Sequence, residues 1–175
     1  DVTAGVLSVK EVGDFWEEIA LIRKLQGTVL NSFDAWLLIR GMRTLFLRVE
    51  RCSQNAMAVA KHFHGHDYLE TVLYPGLSSD PGHEVAKKQT NGQFGGMMSI
   101  IIKGSEQNAV DVTRFCQLFY PATSLGGVES LIEHRKTVSG EGFPVHPRLL
   151  RLSIGIEDAD DLIWDLEQAL TRAFN

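Results

Sequence analysis

From Leu45 onward the apolar residues Leu45, Val49, Cys52, Ala56, Ala60 and Phe63 recur at i, i+4, i+7, i+11, i+15 and i+18. That spacing puts all six on one face of a continuous helix, so an all-β fold is excluded at the outset. After residue 64 the pattern changes to short β-rich runs, Thr71–Tyr74 and Gly96–Ile102, divided by a loop that holds Pro75, Gly76, Pro81 and Gly82. The chain therefore switches from helices to sheet.

The flanking elements follow the same logic. Ala4–Val9, AGVLSV, has the composition of a buried strand of an α/β sheet. Asp14 with Glu17 resembles a capping box, and Phe15, Trp16, Ile19 and Ile22 continue at helical spacing to a stop at Gly27. A second helix spans Ser32 to Gly41. Beyond the switch, Ser105 caps a helix carrying Ala109, Val112, Cys116 and Phe119, and strands are predicted near Val128–Glu133 and Leu149–Ile156. Asp158 with Asp161 opens a last helix whose buried stripe is Leu162, Leu166, Leu170 and Ala173. The order reads as α+β, an antiparallel sheet covered by helices on one face.

Charge and cysteine usage narrow the function. With 17 Lys+Arg against 22 Asp+Glu, the net charge of -5 lacks the basic excess that phosphate-backbone binding needs, so nucleic acid is not an expected partner. No apolar run approaches the length of a membrane span, so no membrane partner is expected. Two cysteines, Cys52 and Cys116, offer neither a disulfide framework nor a zinc ribbon, and a reducing, cytoplasmic setting is expected. The chain starts at Asp1 without Met, which points to a piece of something longer.

Four constellations could carry chemistry. His62, His64 and His66 alternate, as a metal site could use, but no carboxylate or cysteine at ligand spacing accompanies them, and no metal is expected. Gly92, Gly95 and Gly96 in NGQFGG lead into a strand, which makes them a turn rather than a phosphate cradle. Ser124-Leu125-Gly126-Gly127 brings a hydroxyl and backbone N–H groups close to whatever lies above them, or forms a bulge. Arg151, between Leu150 and Leu152, points to the face opposite the two leucines, and its planar fork matches a carboxylate. No nucleophile–base pair is evident, so no catalytic residue is assigned.

DVTAGVL at the start, RGMRTLFLRVERCSQNAMAVAKHF from Arg40, YPGLSSDPGHEVAKKQ from Tyr74, SLGGVESLIEH from Ser124 and RLSIGIEDADDLIWDLEQAL from Arg151 resemble the Cys/Met-metabolism pyridoxal-phosphate enzymes. These are the cystathionine γ-synthases and the cystathionine β- and γ-lyases. The resemblance covers nearly the whole chain in the family's order. It implies a fold-type I transferase, with residues 1–63 ending the large cofactor-binding domain and its connecting helices, and 64–175 forming the small C-terminal α+β domain. It implies β- or γ-elimination or γ-replacement on cystathionine, homoserine esters or cysteine-like substrates, with pyridoxal 5'-phosphate as cofactor, and a homo-oligomer, commonly a tetramer.

In the family, the lysine that forms the Schiff base lies shortly before a Gly-His-Ser-Asp-Val stretch whose end looks like Asp1 and Val2. The segment is thus expected to lack that lysine, to contain no cofactor-binding residue and to be inactive alone. What it keeps by similarity is the substrate-carboxylate site: Arg151 as the grip, with Ser124 and the backbone of Leu125 lining the same pocket. Thr123 stands where many γ-lyases and γ-synthases carry an acidic residue and some β-lyases an aromatic one. From Arg135 to Pro147 the chain reads RKTVSGEGFPVHP, shorter than the family's Met-Thr-His turn and insert. The competing expectation is a stand-alone, non-catalytic α+β binding module. Such a module would not keep a buried-type strand such as Ala4–Val9 without neighbours.

Overall fold

The computed structural model describes residues 2–140 and 142–175. Asp1, at the start of the DVTAGVL stretch, and Glu141, in the 135–147 loop, lie outside them. The chain forms two compact units, 1–46 and 47–175. The division falls two residues into the long helix. Residues 47–63 group with the sheet because Ser53, Asn55, Ala56, Val59, Ala60 and Phe63 of that helix are buried.

In the first unit, α1 (Asp14–Gln26) is closed by Gly27 at φ 66°, whose N–H reaches back to Arg23 and Lys24 carbonyls. Gly13, not Asp14, is the N-cap; Asp14 and Glu17 instead occupy the first turn, where their charge complements the helix N-terminus. α2 (Ser32–Met42) starts from Asn31, whose side chain accepts the Asp34 N–H at 2.9 Å. Neither helix has a buried residue. Ala4–Val9 is not a strand: it is exposed and pairs with nothing among the described residues. A strand exists only through a neighbour's N–H and C=O groups, however suitable its composition.

The second unit contains α3 (Leu45–Phe63) from its third residue on, β1 (Leu69–Leu73), α4 (His83–Thr90), β2 (Met97–Ile102), α5 (Glu106–Phe115), β3 (Tyr120–Pro121), β4 (Leu131–His134), α6 (Arg135–Ser139), β5 (Leu149–Ser153) and α7 (Ala159–Phe174). α4, β3 and α6 are short elements that the apolar pattern does not announce. The strands form one sheet in the order β1-β2-β5-β4-β3. All pairs run antiparallel except β3 with β4, which makes the sheet mixed rather than purely antiparallel.

Alternation sets the two faces. Met98, Ile100, Ile132, Leu150 and Leu152 turn to the core and pack with Phe63, Val112, Leu162, Leu166 and Leu170 in one cluster. Ser99, Arg151 and Glu133 pair in a row across β2, β5 and β4, and so share the opposite face. α5 begins at Ser105 with a complete capping box, and α7 at Asp158, which accepts the Asp160 N–H at 2.9 Å.

Candidate carboxylate-binding site

Arg151 sits mid-strand on β5, its side chain one-fifth exposed. Its Nε lies 2.9 Å from Glu133 Oε1, an ion pair across the β4–β5 ladder. Its Nη2 donates to the Thr123 carbonyl at 2.5 Å and the Ser124 carbonyl at 3.0 Å. The strand thus brings Arg151, Thr123 and Ser124 together, as the sequence motifs suggest. Nη1 donates to no described residue, so this end of the fork is open to an anion. A bidentate grip uses two nitrogens, so a carboxylate that gains the second arm must take Nη2 from the loop carbonyls.

The glycine-rich turn is held by the same strand. Ser153 Oγ accepts the Gly126 N–H at 3.1 Å, and Gly126 has φ 75°, a conformation that favours glycine. Leu125 is exposed and Ser124 is used through its carbonyl. Beneath the turn lies a polar staple. Ser130 donates its N–H to Glu157 Oε1 at 2.6 Å and its hydroxyl to Oε2 at 2.9 Å, and it accepts the Gly155 N–H at 2.8 Å. Asn55 on α3 donates to the carbonyls of Gly155 at 3.1 Å and Glu157 at 2.8 Å. A Cβ on Gly155 would collide with the Val128 carbonyl oxygen and lie 2.8 Å from the Glu129 carbonyl carbon. The Ser-x-Gly-x-Glu that leaves β5 therefore packs against residues 128–130, just after the Ser-Leu-Gly-Gly turn, which Ser153 itself holds.

Glu133 escaped the sequence reading. Its side chain is only 3% exposed, and Oε1 also accepts from Arg135 Nη1 at 2.9 Å. Oε2 is buried with no partner among the described residues. The signal lies in strand register, which pairs Glu133 with Arg151 across β4 and β5. Next to it His134 donates from Nε2 to the Pro147 carbonyl at 2.7 Å, which leaves Nδ1 to accept from the Thr137 hydroxyl at 2.6 Å. The Pro147 bond ties the end of the 135–147 loop back to β4. A cavity of about 210 Å³ alongside is lined by Thr113, Ala122, Thr123, Glu133, Thr137 and Val138, among others.

The other constellations separate from this site. His62 Nε2 lies 2.7 Å from Glu167 Oε1 and His66 Nε2 lies 3.2 Å from Oε2, so the carboxylate missing at local spacing comes from α7. His64 joins neither pair, and among the described residues no group of three or more His, Cys, Asp or Glu is placed to hold a metal. Gly92 and Gly95 take φ 80° and 76° in the turn that enters β2. Burial pushes the Cys116 thiol well above its ordinary range, with Asp165 adding to the effect. No helix among the described residues is long and apolar enough to cross a membrane.

Comparison with known proteins gives this geometry its context. The family model described as Cys/Met metabolism PLP-dependent enzyme matches residues 1–171. Cystathionine gamma-synthase of Mycobacterium tuberculosis is 45% identical over 175 residues, 97% of this chain and 45% of the relative. Cystathionine gamma-lyase of Bacillus subtilis is 43% identical over 180 residues, 97% of this chain and 46% of the relative. The solved cystathionine gamma synthase of Xanthomonas oryzae pv. oryzae, in complex with aminoacrylate and cysteine, superposes with a TM-score of 0.86 at 37% identity. It covers 93% of this chain and 44% of that one. The chain thus spans less than half the length of the relatives it matches.

Proposed function

This chain belongs to the Cys/Met metabolism PLP-dependent enzyme family, and from that premise we propose that it supplies the substrate α-carboxylate site of an enzyme of sulfur amino-acid metabolism. The reaction class is β- or γ-elimination or γ-replacement on cystathionine, homoserine esters or cysteine-like substrates. The observation that carries the reading is the Arg151 guanidinium, fixed at Nε by Glu133 and at Nη2 by the 123–124 carbonyls, with Nη1 open. A carboxylate arriving there meets a charge-assisted donor already oriented, so little side-chain entropy remains to be lost on binding. Ser124 and Leu125 form the rim, and Thr123 stands at the edge nearest the substrate's side chain.

Pyridoxal phosphate is the family's cofactor, but the residues at this site do not fit it. Among the described residues no lysine is hydrogen-bonded or ion-paired to Arg151, Glu133 or residues 123–126, and Lys136 on α6 is engaged by Glu106 at 2.7 Å. What the site fits is the acid end of an amino acid. Synthases and lyases match at similar identity, 45% and 43%, so the proposal concerns the substrate end that both reactions share. The same reading takes residues 1–63 as the end of the large domain, 64–175 as the small domain, and the whole protein as a cytoplasmic homo-oligomer.

The test is Arg151→Met in the full-length protein that carries this chain. KM for the amino-acid substrate should rise about a hundredfold, about 2.7 kcal/mol, as expected for a lost charged hydrogen bond. An unchanged KM overturns the reading.

A further inference from the structure

Glu133 presents an unusual economy: a carboxylate with its side chain 3% exposed uses one oxygen for two guanidiniums and leaves the other buried without a partner among the described residues. A buried charge is costly, and a buried ion pair is often matched or bettered in stability by apolar side chains of similar size. Packing alone thus gives little reason for the group. Arg151 and Arg135 are its only ionic partners among the described residues, one-fifth and about two-fifths exposed.

We propose that Glu133 is a positioning residue for substrate binding: through Oε1 it fixes the Arg151 guanidinium by its Nε edge and aims Nη1 outward. Arg135 is what makes this possible. Two guanidiniums on one carboxylate leave a net positive charge, so Glu133 orients Arg151 without neutralising its attraction for an incoming anion. The inference rests on the reading of Arg151 as the carboxylate grip. Glu133 touches neither substrate nor reacting atoms in this role; it acts only through Arg151.

The experiment uses the full-length holoprotein with Glu133→Met, Glu133→Gln and Arg151→Met. Calorimetry compares binding of L-2-aminobutyrate with binding of propylamine, the same molecule without its carboxylate. Glu133→Met should weaken L-2-aminobutyrate about thirtyfold and leave propylamine unchanged, with substrate KM raised in parallel and kcat within about threefold. Glu133→Gln, which keeps the shape and one acceptor oxygen, should fall between Glu133→Met and the unmodified protein. It also decides the matter if Glu133→Met fails to fold. If Arg151→Met removes the preference for the carboxylate and both Glu133 variants retain it, the positioning role is overturned while the Arg151 reading stands. If Arg151→Met also retains the preference, the Arg151 reading falls and takes this inference with it.

Discussion

Ser153 Oγ accepts the Gly126 N–H at 3.1 Å, so the strand that carries Arg151 also holds, two residues on, the glycine turn that follows Ser124. Arg151 and the turn are thereby tied to the same strand. Ser153→Ala keeps the fold but releases the turn, at a cost of about 1 kcal/mol for a single hydrogen bond. Amide exchange at residues 124–127 should quicken about tenfold while that of β5 stays unchanged, as read by hydrogen–deuterium exchange.

Gly155→Ala tests the packing of the chain leaving β5 against residues 128–130. The added methyl meets the Val128 carbonyl oxygen and the Glu129 backbone, which cannot rotate away as a side chain could. Destabilisation of about 3 kcal/mol is expected, a fall in Tm of about 6–12 °C by calorimetry. Gly5→Ala, which meets open space, should stay within about 0.5 kcal/mol.

Asn55→Leu removes the donor that α3 offers to two carbonyls of the turn into α7. Gly155 and Glu157 would each lose a partner, at a site where Asn55 is 3% exposed. Urea unfolding should show a loss of about 2–4 kcal/mol with an unchanged slope.

The residues behind this site show how unevenly the sequence displays its design. The Ser105 cap is a local pattern found where spacing puts it, while of the α3 stripe Ala56, Ala60 and Phe63 are buried and Leu45 at its start is 38% exposed. Arg151 is legible because alternation between Leu150 and Leu152 assigns its face. Glu133 and Asn55 are not, since their meaning is a partner 18 residues away in one case and 100 or more in the other. α4, HEVAKKQT, hides for the opposite reason: none of its residues is buried, so it has no apolar period to show. Ala4–Val9 misleads because composition reports suitability for a sheet and says nothing of whether a neighbour is there to pair with.

Alkaline stability should depend in part on Tyr74, alongside the buried Cys116 thiol. Burial raises its phenol from the ordinary 10 to about 12, and its hydroxyl donates to the Gly95 carbonyl at 2.9 Å. The neutral form is therefore favoured in the folded state. Its stabilisation is complete below the ordinary value, declines as pH rises past about 10 and is gone beyond about 12. Tyr74→Phe should lower stability by about 1 kcal/mol at neutral pH and flatten the decline above pH 10. Urea melts from pH 8 to 11.5 give the comparison, and parallel curves would refute it.

β5 stands in the middle of the sheet although it is the last of the five strands in the chain. During synthesis, β1 and β2 can pair as soon as Ile102 is free, but the edges of β2 and β4 stay open until Ser153 emerges. At about 5–20 residues per second, the fifty or so residues between take roughly 3–10 s. For that interval the newborn chain exposes the margin of β2, joined by that of β4 once His134 is out, and it is there that a holding chaperone would find its purchase. When β5 slots between them, one event closes both margins and sets Arg151 beside Glu133. Folding and the completion of the site are the same step.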